Sequence, residues 1–479
     1  MISFFVCLAL LVGGYFIYGG FVSKTFGPDD RETPAVTMED GVDYVVMPTW
    51  RIFLIQLLNI AGLGPIWGAV GGAMCGPSVF LWITFGTIFC GGVHDFASGF
   101  MSMRHEGLSV PELTGMYMGN VMKQVMRVFS TVLLFMVGVV FAVGPAGLLA
   151  YLCGGNSGGT GILTNKYFWL TIVFIYFFIA TFLSVDKIIG KLYPIFGGVL
   201  LLMAAGIMVG LIAGGYRLPE LTLANLHPDG RPVWPFMFIT VACGAISGFH
   251  GTQSPMMARC LRTERDGRRV FYGAMISESV IALVWAAAGV AFYGATGGLQ
   301  AALANLGQSG VVYEISVTLL GVFGGALAVI GVVVCPISSG DTAFRSARLI
   351  IADWFHIDQS DFKKRLAVTI PLLAAGALLT QVDFNVVWRY FSWSNQTLAM
   401  ITLWAAAAYL LRNGEMRWHS LLCALPATFM SGVSCTYILM AEEGFRLSAS
   451  IAYPVGAAFA LACAALYAVK AAKRSENRI

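Results

Sequence analysis

Charge-free, apolar stretches of about 20 residues recur along the whole chain, separated by shorter polar segments that hold most of the charge. At 1.5 Å per residue, each stretch is long enough to cross the roughly 30 Å hydrocarbon layer of a membrane as a helix. The pattern predicts thirteen spans: 2–22, 50–74, 77–102, 122–152, 167–185, 190–213, 234–261, 270–295, 322–353, 366–381, 386–411, 417–440 and 449–471. A weakly amphipathic stretch at 299–320 reads as an external re-entrant or surface helix, or as the start of the next span. Residues 2–22 have the apolar run of a signal peptide, but the run is long and no A-x-A-like cleavage site follows. It is read as a retained span.

Composition supports a membrane protein. Hydrophobic residues make up 58% of the chain and charged residues 11%, with a mean hydropathy of +0.77. A soluble domain carries about 25% charged residues. The net charge of +4 gives no sign of a nucleic-acid partner. The ten cysteines are scattered through apolar segments without a CxxC pair, so they read as small buried hydrophobes and not as metal ligands.

How the charge is distributed says more. With the N-terminus outside, 24 of the 29 lysines and arginines fall on one side of the predicted spans. Lys166, Arg217, Arg231 and Arg446 fall on the other, and Arg389 lies within a span. Cytoplasmic loops carry the Lys/Arg excess. The bias therefore predicts an inner-membrane protein with a periplasmic N-terminus and a cytoplasmic C-terminus, bathed in membrane lipid.

Two spans are interrupted near their middles. The first reads NIAGLGPIWGAVGGAMCGP, broken at Gly62-Leu63-Gly64-Pro65; the second reads ACGAISGFHGTQSPMMARC, broken between Gly244 and Pro255. Glycine permits non-helical backbone and proline removes a donor, so both strings free backbone polar groups inside the membrane. Such groups are tolerated where they line a cavity or bind something. The breaks lie five spans apart, and an odd number of spans per unit inverts the second unit relative to the first. This predicts an all-α, five-plus-five inverted repeat: an extra helix and linker in 1–49, repeats in 50–213 and 214–412, and two further helices in 413–479. Paired broken helices at matching positions point to a transporter site. Close packing of small residues is the plainer explanation for the glycines.

From about residue 50 to about residue 412, several strings resemble the carbon starvation protein A family: GLGPIWGAVGGAMCGP, FCGGVHDFASG, ACGAISGFHGTQSPMMARC, PISSGDTAFRSARLIIAD and WRYFSWSNQTLAMITLW. The resemblance implies a transporter of peptides or pyruvate, induced when carbon runs short. It also implies membership of the amino acid–polyamine–organocation superfamily with its LeuT-like fold.

Polar residues inside the spans are the candidate chemistry, because a charge at the bilayer centre costs about 2.5–3.5 kcal/mol on insertion scales. His94 and Asp95 could relay a proton or anchor a gate. Glu278 lies at mid-depth with no basic residue on its helix at that depth, and is a proton-coupling or substrate candidate. Ser338, Ser339, Asp341 and Thr342 form an oxygen-rich string after Pro336. By resemblance to broken-helix transporters, Ser338, Ser339 and Thr342 could hold a sodium ion. Alternatively, Asp341 pairs with Arg345 or with Lys191, at a position where a lysine replaces sodium in proton-coupled relatives. Ser247, His250, Gln253 and Ser254 in the second break are candidates for touching substrate, with Asn59, Gly62 and Gly64 opposite. Trp393, Asn395 and Gln396 could close the site from outside.

The expected function is secondary active import of a small carboxylate-bearing nutrient with a proton, possibly sodium instead, and no cofactor beyond the coupling cation. No Walker A string supports ATP-driven transport and no HExxH-type ligand pair supports a metalloenzyme. A membrane enzyme or sensor built on the intramembrane His, Asp and Glu residues is the rival, and a channel a further one.

Overall fold

The computed structural model describes residues 1–41, 43–154, 160–181, 185–359 and 361–476; the side chains of 185–193 and 473–476 lie outside that description. Its secondary structure is helical throughout, with no strand among the described residues. The helices are α1 (Ile2–Phe26), α2 (Thr49–Ile60), α3 (Gly64–Cys75), α4 (Val79–Arg104), α5 (Val110–Met118), α6 (Asn120–Leu152) and α7 (Lys166–Ala180). They continue with α8 (Val185–Ala213), α9 (Val233–Thr240), α10 (Gly248–Ala258) and α11 (Glu264–Phe292). A long helical stretch, Thr296–Phe355, turns at Gly307 (φ +67°) and Gly321 (φ +61°) into arms α12 (296–306), α13 (308–320) and α14 (322–355). Last come α15 (Phe362–Leu379), α16 (Phe384–Asn413), α17 (Arg417–Met440) and α18 (Ala449–Glu476).

Each predicted span meets a helix, or a broken pair of helices, within a few residues. By length and apolarity alone, eight helices of the described residues can cross a membrane, or nine when α2 and α3, bent by 53°, count as one span. The shortfall has physical reasons. α7 has 15 residues, about 22 Å of helix. α16 turns Ser394, Asn395, Gln396 and Thr402 into the protein, so its polar residues lower the hydropathy of a largely buried helix. The 299–320 stretch forms arms set off from the following span, because glycine alone readily adopts the positive φ found at 307 and 321.

Helix starts follow local chemistry. Asn165, Asp361 and Asp383 cap α7, α15 and α16 by accepting backbone N–H bonds from Tyr167, Lys363 and Asn385. α11 is buried on nearly every face, from Ile281 through Trp285 to Ala288, and forms the centre of the bundle. α1 and α18 instead expose Phe5, Val6, Phe459, Leu461 and Leu466, as expected of helices whose outer solvent is hydrocarbon.

The loops sort to two ends. At one, the Met1 ammonium pairs with Glu220, and Thr296 donates to the Leu226 carbonyl at 2.7 Å. The bonds from Met1 and Ser3 hold the Glu220 carboxyl down to about 2. At the other end lie the arginine-rich loops. Arg104 holds the buried Glu264 at 2.5 Å, Arg265 meets Asp30 at 2.8 Å, and Arg412 donates to the Met116 carbonyl at 2.8 Å. Hydrogen bonds from Arg31 hold the Asp29 carboxyl well below the usual range. Residues 27–33 are thereby strapped onto the loop after α10.

Candidate functional site

The two broken helices meet at the centre. α2 ends at Ile60 and α3 restarts at Gly64-Pro65, where proline at the start of a helix forfeits no helical hydrogen bond. A Cβ on Gly64 would overlap the side chain of Cys243, and one on Gly68 would come within 2.9 Å of the Thr240 carbonyl. Glycine here lets the second break, residues 241–247, lie directly against the first.

The second break is shorter than the sequence suggests. Helix resumes at Gly248 and carries Pro255 inside it, so His250, Gln253 and Ser254 are on α10 and not in open backbone. The reason is a cap supplied from elsewhere in the chain. Ser247 gives no side-chain cap, but the Asn395 carboxamide oxygen on α16 accepts from Phe249 N at 2.7 Å and Ser247 Oγ at 3.0 Å. Asn395 therefore satisfies one of the donors that a helix start leaves open. Trp393 donates to the Ser434 carbonyl on α17 at 3.1 Å, and Gln396 donates to the Phe238 carbonyl at 3.2 Å.

Beside the second break, four ionisable side chains from three helices form one connected row, all with no exposed surface. His94 Nδ1 lies 2.7 Å from Asp95 Oδ1, and His250 Nδ1 lies 2.9 Å from Asp95 Oδ2. His250 Nε2 is 3.4 Å from Glu278 Oε2, an ion-pair contact and not an aligned hydrogen bond. Against an ionised Asp95 each imidazole donates through Nδ1, which leaves both Nε2 atoms to exchange protons. Two imidazoles and two carboxyls in contact of this kind can take up a proton and hand it along the row. Alongside, Thr87 Oγ1 lies 2.6 Å from Ser279 Oγ and donates to the Gly244 carbonyl at 3.3 Å, tying α4 and α11 to the break.

On α2 and α10, several buried amide atoms have no partner among the described residues: both ends of Asn59 and the oxygens of Gln56 and Gln253. Gln56 Nε2 does reach Ser254 Oγ at 3.4 Å, and Ser254 donates to the His250 carbonyl at 3.0 Å. Gln56 stands one turn from Asn59 and was open to notice, as a glutamine inside the apolar run RIFLIQLLNI. Buried polar groups of this kind need a partner, so this face can bind a polar ligand.

The string after Pro336 divides. Ser338 donates to the Cys335 carbonyl at 2.6 Å and Thr342 to the Ser339 carbonyl at 2.9 Å, both within α14. Ser339 reaches the broken helix, its hydroxyl 3.2 Å from the Leu58 carbonyl and equally 3.2 Å from the Cys335 carbonyl of its own helix. As oxygen ligands for a hard cation, Ser339 and Leu58 converge. Asp341 lies 3.9 Å from Arg345, which also donates to the Ala180 carbonyl at 2.9 Å. The side chain of Lys191 lies outside the described residues. Among the described residues no group of three or more His, Cys, Asp or Glu side chains could hold a metal ion.

The model of the carbon starvation protein CstA family matches residues 1–152 and 152–294, taking in the N-terminal helix that lay outside the resembling strings. A membrane protein of Haemophilus influenzae is 42% identical over 349 residues, covering 63% of this chain and 94% of its own. The peptide transporter CstA of Bacillus subtilis is 28% identical over 527 residues, covering 88% and 87%. The pyruvate/proton symporter BtsT of Escherichia coli is 29% identical over 316 residues, covering 53% of this chain and 43% of its own. A mutant of the Eremococcus coleocola manganese transporter superposes with a TM-score of 0.52 at 11% identity, over 91% of this chain and 99% of its own. MhsT in complex with L-phenylalanine gives 0.50 at 15% identity, over 89% and 99%. At those identities the likeness is one of fold, and it is the fold of LeuT-type transporters. The chain is a multi-pass, all-helical membrane protein and belongs to the carbon starvation protein CstA family.

Proposed function

We propose that the protein is a secondary active transporter that imports small carboxylate-bearing nutrients, peptides or pyruvate, across the bacterial inner membrane with a proton. The observation that carries this is the buried row His94–Asp95–His250–Glu278 at the second break. Two imidazoles and two carboxyls held in contact deep in a low-dielectric interior are groups that can bind and release a coupling proton. Because His250 shares α10 with Gln253 and Ser254, loading the row alters the helix that faces the unpaired amides. The names of the relatives support the substrate class. Residues 50–213 and 214–412 are read as the two inverted units, with the arginine-rich end in the cytoplasm.

Sodium is the second reading, favoured by the contact of Ser339 with the Leu58 carbonyl. One experiment separates the two cations and the two substrates. A zwitterionic dipeptide moving with one proton carries net positive charge, so a potential of 100 mV contributes about 2.3 kcal/mol. At about 1.4 kcal/mol per factor of ten, that drives accumulation several tens of times over. Pyruvate with one proton is neutral and responds to the pH gradient alone. In sodium-free proteoliposomes, a potassium-diffusion potential should therefore concentrate the dipeptide but not pyruvate, and an inward proton gradient should concentrate either substrate that is carried. No uptake under either gradient, restored by sodium, would retire the proton and leave the Ser339–Leu58 site as the coupling point.

A further inference from the structure

We propose that Arg348 is a carboxylate-binding residue on the path between the central site and the arginine-rich end. This rests on the carboxylate-transporter reading above. Arg348 is 6% exposed, and its Nε and Nη1 are buried with no partner among the described residues. A buried guanidinium without a counter-ion is strongly disfavoured, because the charge has left water and nothing repays the loss. Among the described residues no carboxylate forms an ion pair with it, and Asp341 on the same helix lies 3.9 Å from Arg345 instead. The guanidinium is therefore able to take an incoming anion.

Position supplies the second argument. Ser338, Asp341, Arg345 and Arg348 recur at helical spacing along one face of α14 and are buried or nearly so. This face runs from the level of the first break, where Ser339 meets the Leu58 carbonyl, toward the arginine-rich loops. Farther toward that end, Arg127 lies over the Trp354 ring. Arg348 thus stands below the central site, where a substrate leaving it would arrive. Five fixed N–H donors match a carboxylate with two parallel bonds, which a lysine cannot reproduce.

The test uses the full-length protein in proteoliposomes of known orientation. The probes are pyruvate, alanyl-alanine and the C-terminal amide of alanyl-alanine. Arg348→Gln should raise the half-saturating concentration of the two carboxylates at least tenfold from the arginine-rich face, and by less than twofold from the opposite face. The amide should be unaffected. An unchanged carboxylate affinity in a variant that melts like the wild type would overturn the proposal. So would an equal loss for the amide, or an equal loss from both faces, since either marks a merely structural role. If the glutamine variant does not fold, Arg348→Lys keeps the charge and loses the paired geometry. It should weaken carboxylate binding at least threefold, and no change there would also overturn the proposal. Wild-type protein that carries none of the probes would bring down the transporter reading and this inference together. Wild-type uptake with unaltered Arg348 variants would bring down this inference alone.

Discussion

Glu278→Gln is expected to abolish accumulation of substrate against its gradient while leaving substrate exchange across the membrane intact. Glutamine keeps the shape of the side chain and its polar contact toward His250 but cannot carry a proton. Glutamine stands in for a protonated glutamate, so the variant row resembles the proton-loaded row at every pH. A carrier held in its loaded form can still exchange substrate for substrate, but it cannot be driven by a proton gradient. For one proton per substrate, a gradient of one pH unit is worth about 1.4 kcal/mol, or roughly tenfold accumulation. That factor should fall to about one. The protein should remain folded, since replacing one buried ion by its neutral isostere removes a desolvation penalty along with the contact. Counterflow and net uptake measured side by side decide the matter. Wild-type accumulation by the variant would remove Glu278 from the coupling row.

A methyl group at residue 64 should be among the most damaging small changes in the chain. The Cβ of Gly64→Ala would overlap both the Sγ and the Cβ of Cys243, whose backbone forms the second break. Neither partner can retreat freely, because Gly68 is also tight against the Thr240 carbonyl at 2.9 Å from a would-be Cβ. Overpacking of this kind costs about 1–3 kcal/mol. Here it also pushes apart the two helices that hold Asn59 and His250. The expectation is a lowered melting temperature in detergent and at least a tenfold loss of uptake. Cys243→Gly should restore both in the double variant, because it removes both overlapping atoms. Cys243→Ala should not, because its Cβ remains in the way. A Gly64→Ala protein that melts and transports like the wild type would show that the breaks are not in tight contact.

Much of this was open to a reader of the chain, and the failures have physical causes. The breaks announced themselves through glycine and proline in otherwise apolar spans. His94, Asp95, His250 and Glu278 stood out because charge is expensive inside a membrane. Their joining did not stand out: His250 lies 155 positions from Asp95, and no periodicity links them. The start of α10 was misplaced because its cap, Asn395, comes from 148 residues downstream of Ser247. Local sequence shows only a permissive glycine-rich run there. The bond from Trp393 to the Ser434 carbonyl on α17 spans 41 positions, and no periodicity of the chain links the two. Arg348 is one of the 24 lysines and arginines on the predicted cytoplasmic side, and a charge count shows nothing more of it. Helix α14 buries it, where its Nε and Nη1 have no partner among the described residues.

If the row of four ionisable groups carries the coupling proton, each substrate molecule taken up brings one proton with it. The most direct measurement is the luminal pH of sodium-free proteoliposomes with the potential clamped at zero and no pH gradient at the start. External pyruvate or alanyl-alanine should acidify the lumen by one proton per substrate taken up, and Glu278→Gln should take up substrate only to equilibrium with no pH change. Uptake by the wild type with no acidification, or only when sodium is added, would contradict it.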